Sequence, residues 1–256
     1  MRYGVAGDVH ANLHALDAVL DALDAAGVDR LVSPGDLVGY GPRPNECVAR
    51  LREAGAVAVA GNHDLMAIDR VPRDGLPELQ RTTIEWTRTA IDDDTRAYLA
   101  GLPLSAGVDE RLAMAHGSLD DPDEYVFECG SARAQLALLA ERRPGAEVLL
   151  LGHTHLPLAC GVRSRGPRPA TGPFDLPEDA GPWVLNAGSV GQSREREPHA
   201  RALVIDTERR SAEFLTVFYD VDATRRELSA AGLPAGACHL RPTFRGRVRR
   251  RLRVLR

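Results

Sequence analysis

The sequence is organised around the stretch Gly61-Asn62-His63-Asp64, which directly follows an apolar run at residues 56–60. Such a run predicts a buried strand, so these four residues fall in the loop at its carboxyl end. An amide, an imidazole and a carboxylate behind a glycine suit the binding of a hard cation and the transfer of a proton. Gly-Asn and His-Asp steps are also common in ordinary turns, so the stretch alone leaves both interpretations open.

Four more loops of this kind each follow a strand-like apolar run. The alternation of strands and helices over the first 64 residues predicts a largely parallel sheet with right-handed crossovers. Binding sites in such sheets collect outside the carboxyl ends of the strands. The polar residues placed at these ends are Asp8, His10, Asp36, Asn62, His63, His116, His153 and His155.

Capping residues and apolar spacing predict the elements between these loops. Asn12 can cap a helix whose leucines recur at three- and four-residue spacings, with Gly27 placed to end it. Residues 104–108 and 111–115 form a predicted hairpin. A later hairpin at 202–206 and 212–218 is expected to belong to a second sheet packed on the first.

Length and composition indicate one large α/β domain, which we place at residues 1–240. The chain has 256 residues, of which 44% are hydrophobic, and a formal net charge of -4. This charge argues against general nucleic-acid binding and against a disordered acidic protein. Because the sequence shows neither a charged leader with a long apolar stretch nor a membrane-spanning run, we predict a soluble, cytoplasmic protein without membrane contact.

The basic residues and the cysteines say less about function. All 32 basic residues are arginine, a bias that weakens any argument from one arginine. The tail at 241–256 holds eight arginines and no acid, which suits nucleic-acid binding or, as we favour, a solvated helix on an acidic body. The four cysteines are far apart without a Cys-x-x-Cys motif, which predicts reduced, mostly buried thiols.

The pair His153 and His155 has a geometric meaning. Residues two apart in a regular strand point the same way, so both imidazoles can face one point or two adjacent metals. Asp8 and His10, which are also two apart, can present a carboxylate and an imidazole to a metal in the same way. A His-x-His pair on its own is more often a surface or capping feature than a ligand pair.

Five motifs now stand in a fixed order: Asp8-Val-His10, Gly35-Asp36, Gly61-Asn62-His63-Asp64, His116-Gly117 and Gly152-His153-Thr-His155. This set resembles the calcineurin-like metallophosphoesterase superfamily, over nearly the whole chain from Val5 to about Tyr219. Five ordered matches at strand ends are hard to obtain by chance. The resemblance implies an α/β fold, a four-layer α/β/β/α sandwich with two mixed β-sheets.

The resemblance also implies a dinuclear centre. Two divalent ions about 3.5–4 Å apart would orient and neutralise a phosphoester, and a metal-bridging hydroxide would attack phosphorus in line. His63 as imidazolium would protonate the leaving group, with Asp64 fixing its orientation. Mixed nitrogen and oxygen ligands suit Mn, Fe, Zn, Co or Ni. The implied ligands are Asp8, His10 and His155 for one metal, Asn62, His116 and His153 for the other, and Asp36 as the bridge.

One departure from the family bears on the substrate, which we expect to be a small phosphoester, such as a nucleotide. Protein phosphatases and dinucleoside tetraphosphatases carry an Asp-Arg pair after the Gly-Asp motif, where Gly39 and Tyr40 stand here. Losing a bidentate phosphate clamp disfavours a dianionic monoester. The stretch is similar to that of small bacterial and archaeal phosphodiesterases. Phosphodiesterase activity is therefore the leading expectation.

Two alternatives stay open: a phosphomonoesterase or dinucleoside polyphosphate hydrolase, and a non-catalytic binding protein on the same fold. Retention of His63 and of the implied ligands argues against the second. Further candidate substrate contacts are Asn12, Arg194 and Tyr40, although Tyr40 can equally pack on its own proline-rich loop. The loop at 165–182, with five prolines, is either a substrate-choosing lid or a disordered excursion. His14, His199 and His239 match no ligand position.

Overall fold

The computed structural model describes residues 1–164, 166 and 172–242 and contains two β-sheets. The strands of the first sheet are β1 (Arg2–Val5), β2 (Arg30–Ser33), β3 (Val57–Ala58), β8 (Gly172–Asp175), β10 (Ala200–Asp206) and β11 (Ser211–Val217). Those of the second are β4 (Ser105–Gly107), β5 (Leu112–Ala115), β6 (Val148–Leu151), β7 (Leu158–Gly161) and β9 (Trp183–Asn186). The first sheet has the strand order β3-β2-β1-β10-β11-β8, and the second has the order β4-β5-β6-β9-β7.

Each sheet contains a parallel core of three strands. In the first sheet β1 pairs in parallel with β2, and β2 with β3. In the second sheet β5 pairs in parallel with β6, and β6 with β9. The carboxyl ends of these strands carry the polar loops, as the alternation of strands and helices predicted.

Seven α-helices in the described part of the chain connect and cover the strands. They are α1 (Leu13–Ala25), α2 (Pro44–Glu53), α3 (Asn62–Ala67), α4 (Glu78–Ala90), α5 (Asp93–Gly101), α6 (Cys129–Arg142) and α7 (Val221–Ala230). Asn12 caps α1, since its side chain accepts a hydrogen bond from the Ala15 N–H at 3.2 Å. Asp92 caps α5 in the same way through Thr95 at 2.8 Å.

Three apolar layers confirm the predicted four-layer sandwich. Between the sheets, Tyr3 and Val5 of β1 belong to one buried cluster with Met114 and Leu150 of the second sheet. A second cluster joins the outer face of the first sheet to α1 and α2. A third joins the outer face of the second sheet to α6. The layer order is therefore α/β/β/α.

The later hairpin lies in the first sheet, so the expectation that it belongs to the second was wrong. β10 pairs antiparallel with β1, from Arg2↔Asp206 to Val5↔Leu203, and β11 follows it. Hairpin formation itself was confirmed. The strand pattern shows that two runs pair locally, but it does not show which sheet edge they join.

The proline-rich loop contains structure that the sequence did not reveal. Gly172–Asp175 forms β8, which pairs with β11 from Ser211↔Asp175 to Phe214↔Gly172, and a 3₁₀ turn follows at Glu178–Ala180. β8 is an edge strand of the first sheet and pairs with the half of β11 farther from the polar loops. Residues 172–175 are thus part of the sheet edge and not a disordered excursion, and a lid role for the loop stays a prediction. Residues 165 and 167–171 lie outside the described residues, as does the arginine-rich tail from residue 243 onward.

Two of the four cysteines are paired, which contradicts the prediction of reduced thiols for this pair. Cys129, at the start of α6, forms a disulfide with Cys160 on β7, with Cα atoms 5.6 Å apart. Packing of α6 on β7 brings together residues 31 positions apart, which spacing could not show. Cys47 and Cys238 are free and buried, as predicted. Within the described parts of the chain, no helix has the length and apolarity needed to cross a bilayer.

Candidate metal centre

The loops at the strand ends have an unusual backbone. Among the described residues, nine that are not glycine have positive φ, and seven of them lie in these loops. Such conformations cost of order 1–3 kcal/mol each and cluster at functional sites. The seven residues are Asp8, His10, Ala11, Asp36, Tyr40, His153 and His155.

His153 and His155 converge for a different reason than the one expected from a pleated strand. β6 ends at Leu151, and both histidines follow it with φ of 65° and 57°. The left-handed turns send the two imidazoles to different groups of acceptors. The prediction that the pair serves two adjacent positions is thus consistent with the structure, although the strand geometry behind it was wrong.

The first group of potential ligands consists of Asp8, His10, Asp36 and His155, all buried, with ligand atoms within 4.8 Å of one another. The Nε2 atoms of His10 and His155 are only 3.0 Å apart. Their Nδ1 atoms lie 3.1 Å from the Val38 carbonyl and 2.8 Å from the Gln192 carbonyl, so each Nδ1 is the protonated donor. Two bare nitrogen lone pairs therefore face each other, an arrangement that a cation between them stabilises.

The second group consists of Asp36, His116 and His153, with Asn62 beside them. His116 donates from Nδ1 to the Pro34 carbonyl at 2.8 Å, so Nε2 is the nitrogen left to coordinate a metal. That Nε2 lies 3.1 Å from the Asn62 Oδ1 atom. The second group therefore places two potential ligand atoms side by side, as the first does.

Asp36 belongs to both groups and can bridge them. Its Oδ2 is 3.5 Å from His10 Nε2 and 3.3 Å from His116 Nε2. The Oδ2 atoms of Asp36 and Asp8 are buried and have no hydrogen-bond partner among the described residues. Bonds of about 2.0–2.2 Å to one metal place neighbouring ligand atoms at such separations. The residues thus fit two divalent cations, and all seven implied ligands meet here.

The electrostatics of the buried groups agree with cation binding. Burial raises the pKa of Asp8 to about 7. Burial opposes the charged form of His116, yet the carboxylates of Asp36 and Asp8 outweigh it and raise its pKa to about 9. Burial lowers the pKa of His10 and His155, which keeps their imidazoles neutral. The site therefore attracts positive charge and offers His10 and His155 as neutral ligands, whereas His116 would release its proton when a metal binds.

Asp123 is a functional residue that sequence reasoning missed. Its carbonyl oxygen lies 3.1 Å from His153 Nε2, which leaves Nδ1 as the nitrogen through which His153 can coordinate. Its carboxylate accepts a hydrogen bond from Asn62 Nδ2 at 2.9 Å, which turns Oδ1 toward the centre. The only sequence signal is an acidic turn at residues 120–123 that follows the His116-Gly117 motif.

Replacing Asp123 with alanine is expected to weaken the second metal position by about 10- to 100-fold, because Asn62 loses the acceptor that orients it. Calorimetric titration of metal-free protein with Mn²⁺ measures this change. Asp120→Ala is the matched control, since Asp120 in the same turn pairs with Arg142 on the surface. Equal affinities in the Asp123 variant and the wild type would show that the contact does not orient the ligand.

Asp64 does not orient His63, which corrects the sequence-based prediction. Its Oδ1 accepts hydrogen bonds from the backbone N–H groups of Leu37 at 2.9 Å and Val38 at 3.1 Å. Its Oδ2 accepts one from Gly61 at 2.9 Å. As the third residue of α3, Asp64 folds back onto the start of its own helix and faces the neighbouring loop. Asp64 therefore ties two site loops together.

His63 is instead positioned by Gln80 and by close packing. Its Nε2 lies 3.0 Å from the Gln80 amide nitrogen, and its ring centroid lies 4.6 Å from that of Tyr40. Its buried Nδ1 faces Gly39, whose φ of 91° and missing Cβ leave room for the imidazole. Gln80 is on α4, and no pattern in the sequence linked it to His63.

Burial lowers the pKa of His63 to about 4, although Asp36 opposes this shift. The imidazole is therefore neutral near pH 7 in the free protein. The expected imidazolium requires an additional negative charge beside it, such as a bound phosphate. The role of His63 as a proton donor stays a prediction.

The three candidate substrate contacts have different outcomes. Asn12 is saturated by the protein: its amide donates to Gly191 and Tyr219, and its oxygen accepts from Ala15 and Thr224. A side-chain amide has no further hydrogen atoms or lone pairs to offer, so its assignment to substrate was wrong.

Tyr40 faces the site, and Arg194 acts on it through its charge. The Tyr40 ring centroid is 4.8 Å from that of His10, which places the ring beside the first group. Arg194 donates to Gln192 at 3.3 Å. Burial lowers the pKa of His155, and the positive charge of Arg194 is the next largest cause. Contact of either residue with substrate stays a prediction.

Comparisons with known proteins identify the family. The calcineurin-like phosphoesterase superfamily domain matches residues 1–210. A metallophosphoesterase of Sphaerobacter thermophilus with a known crystal structure is 33% identical, with a TM-score of 0.78 over 93% of this chain and 97% of its own. The uncharacterized protein MJ0912 of Methanocaldococcus jannaschii is 28% identical over 90% of this chain and 93% of its own. Phosphodiesterase YfcE of Escherichia coli is 26% identical over 62% of this chain and 72% of its own.

The chain therefore belongs to the calcineurin-like phosphoesterase family. The resemblance read from the five ordered motifs is confirmed.

Proposed function

We propose that this protein is a dinuclear-metal-dependent phosphodiesterase that acts on a small phosphodiester. The observation that carries the proposal is the pair of ligand groups that share Asp36, each with two potential ligand atoms about 3 Å apart. Two bound divalent cations would neutralise the phosphate and make water a nucleophile near neutral pH.

In this proposal, residues of the chain orient the metal ligands and protonate the leaving group. Backbone carbonyls fix the tautomers of the ligand histidines, so the centre is arranged before substrate arrives. His63 lies against His10, with ring centroids 4.8 Å apart, and a phosphate there favours its protonated form. His63 would then donate its proton to the departing oxygen. Gln80 would hold the imidazole in place for that step.

The choice of a diester depends on Gly39 and Tyr40. Tyr40 stands where the Asp-Arg pair has its arginine. It places a neutral ring, and not a guanidinium, beside His10 and His63. A diester carries less negative charge than a monoester and has less need of a bidentate clamp. The similarity to Phosphodiesterase YfcE supports this choice.

A phosphomonoesterase is the second candidate, and Arg194 is the observation that favours it. Its positive charge lowers the pKa of His155 after the larger effect of burial, and it lowers the pKa of His153 after the larger effects of burial, His116 and Asp36. It could therefore replace the missing arginine of the Asp-Arg pair from a different loop.

The test compares bis(p-nitrophenyl) phosphate with p-nitrophenyl phosphate, using metal-stripped protein reloaded with Mn²⁺. We expect faster cleavage of the diester, and a loss of about 10²- to 10⁴-fold in the His63→Ala variant at unchanged metal content. Faster cleavage of the monoester would favour the second candidate. Cleavage of neither substrate by protein with two bound metals would contradict both.

A further inference from the structure

Gln192 is a buried polar residue whose side chain has no role in the chemistry described above. No part of it is exposed to solvent. Its backbone carbonyl accepts the hydrogen bond from His155 Nδ1 at 2.8 Å, and its side-chain Oε1 accepts one from Arg194 Nε at 3.3 Å. One residue thus connects a proposed ligand of the first metal position with an arginine.

The orientation of the Gln192 amide follows from its partner. An arginine Nε can only donate a hydrogen bond, so the amide atom that faces Arg194 is the oxygen. Burial raises the pKa of Tyr40, and the charge of Arg194, followed by a contact of the Gln192 side chain, opposes this rise. The amide nitrogen itself forms no hydrogen bond of normal geometry among the described residues. The bond to Arg194 is therefore the one that fixes the amide.

The backbone around Gln192 is locked to the loop that carries Asp8. Ser189 Oγ accepts a hydrogen bond from the Gln192 N–H at 2.9 Å and donates one to the Asp8 carbonyl at 2.9 Å. The Gly191 N–H donates to the same carbonyl at 2.9 Å. A Cβ at Gly191 would collide with the Val9 carbonyl oxygen, so only glycine fits there. Gln192 thus offers a fixed acceptor to a long and otherwise mobile arginine side chain.

Arg194 is a half-buried cation that forms no ion pair with a carboxylate of the described residues. Its neighbour Glu195 pairs instead with Arg201, through two hydrogen bonds of 2.6 and 2.8 Å. Burial lowers the pKa of His155, and the positive charge of Arg194 is the next largest cause, so this charge acts at the first metal position. A partly desolvated cation without an opposite charge favours an anion beside it. The proposed function brings such an anion, the phosphate of the substrate, to this position.

We infer that Gln192 is a positioning residue whose side chain holds the Arg194 guanidinium beside the first metal position, where Arg194 contacts a phosphate oxygen of the substrate. The hydrogen bond occupies Nε and leaves the N–H groups of the two terminal nitrogens for the phosphate. Because the amide is neutral, it orients the arginine without cancelling its charge. The inference rests on the proposed phosphodiesterase function, which places a phosphate at the metal centre.

A double-mutant cycle on phosphate binding tests the inference. The probe is inorganic phosphate, titrated calorimetrically into Mn²⁺-loaded protein. We expect Arg194→Ala to weaken phosphate binding by about 10- to 100-fold, and Gln192→Met, which roughly keeps the side-chain volume, by about 3- to 10-fold. The double variant should lose no more than Arg194→Ala alone, because Gln192 acts through Arg194. Losses that multiply in the double variant, or a wild type that does not bind phosphate, would overturn the inference.

A matched control and a metal titration separate this role from a merely structural one. Arg196→Ala removes the same charge from the same loop, at a residue that pairs with Glu197 on the surface, and should bind phosphate as the wild type does. The backbone carbonyl that accepts from His155 is unchanged in Gln192→Met, so this variant should bind Mn²⁺ as tightly as the wild type. Loss of Mn²⁺ from Gln192→Met would show that the side chain supports the metal ligands, and would overturn the inference.

Phosphate binding needs no turnover, so the cycle also distinguishes failure of this inference from failure of the proposed function. If neither bis(p-nitrophenyl) phosphate nor p-nitrophenyl phosphate is cleaved and the coupling between Gln192 and Arg194 is present, the function fails and the positioning role stands. If the diester is cleaved and Gln192→Met binds phosphate like the wild type, the function stands and the positioning role fails.

Discussion

Replacing Asp36 with asparagine is expected to remove at least one of the two metals and to lower kcat by at least about 10³-fold. The physical reason is that one carboxylate serves both ligand groups. Burial opposes its ionisation, but the positive charge of His116 holds the pKa of Asp36 well below its usual range. The amide removes this negative charge from the centre. A loss of several kcal/mol of transition-state stabilisation corresponds to a rate effect of this size.

Metal analysis and kinetics on the same preparation measure the effect of the substitution. The fold should survive, since the amide oxygen of the introduced asparagine can still accept the His63 N–H bond that Asp36 Oδ1 accepts at 2.8 Å. Asp69→Asn is the matched control, because Asp69 is a half-exposed acid paired with Arg73 and Arg88. Two tightly bound metals and wild-type kcat in the Asp36 variant would contradict the bridging role.

Replacing Asp64 with alanine is expected to destabilise the fold more than it impairs His63. Three buried backbone N–H groups, those of Leu37, Val38 and Gly61, lose their acceptor. Each unsatisfied group costs about 1–3 kcal/mol, so the free energy of unfolding should fall by roughly 3–9 kcal/mol. In a protein of this size that corresponds to a decrease in Tm of about 10 °C or more.

Thermal and urea unfolding test this prediction, with Asp94→Ala as the control. Asp94 is largely exposed and pairs with Arg52 on the surface, so its loss should change stability by less than about 1 kcal/mol. A wild-type Tm combined with lost activity in the Asp64 variant would instead support the original prediction that Asp64 orients His63.

The resemblance carried by the five motifs implied the layers of the fold, and the motifs themselves contain the residues that meet at the candidate centre. Strand ends in a parallel sheet converge on one edge, so the order of motifs such as Asp8-Val-His10 and Gly35-Asp36 carries three-dimensional information. The left-handed backbone at His153 and His155 was not predicted, because nothing in a His-x-His pattern distinguishes a strand from a turn.

The features that sequence missed depend on contacts between distant segments. Gln80 reaches His63 from a separate helix, and Asp123 reaches Asn62 from a turn 61 positions away. Asp64 was misassigned because it neighbours His63 in sequence, whereas its hydrogen bonds go to the loop at Leu37 and Val38 and to its own helix start. Pairing of Cys129 with Cys160 follows from helix packing that no spacing rule encodes.

The most direct test of the account is a crystal structure of the Mn²⁺-loaded protein with anomalous diffraction data collected for manganese. The account predicts two anomalous peaks about 3.5–4 Å apart, with the Asp36 carboxylate between them. One peak should lie among Asp8, His10 and His155, and the other among Asn62, His116 and His153. A single peak, or two peaks that do not share Asp36, would contradict the dinuclear centre.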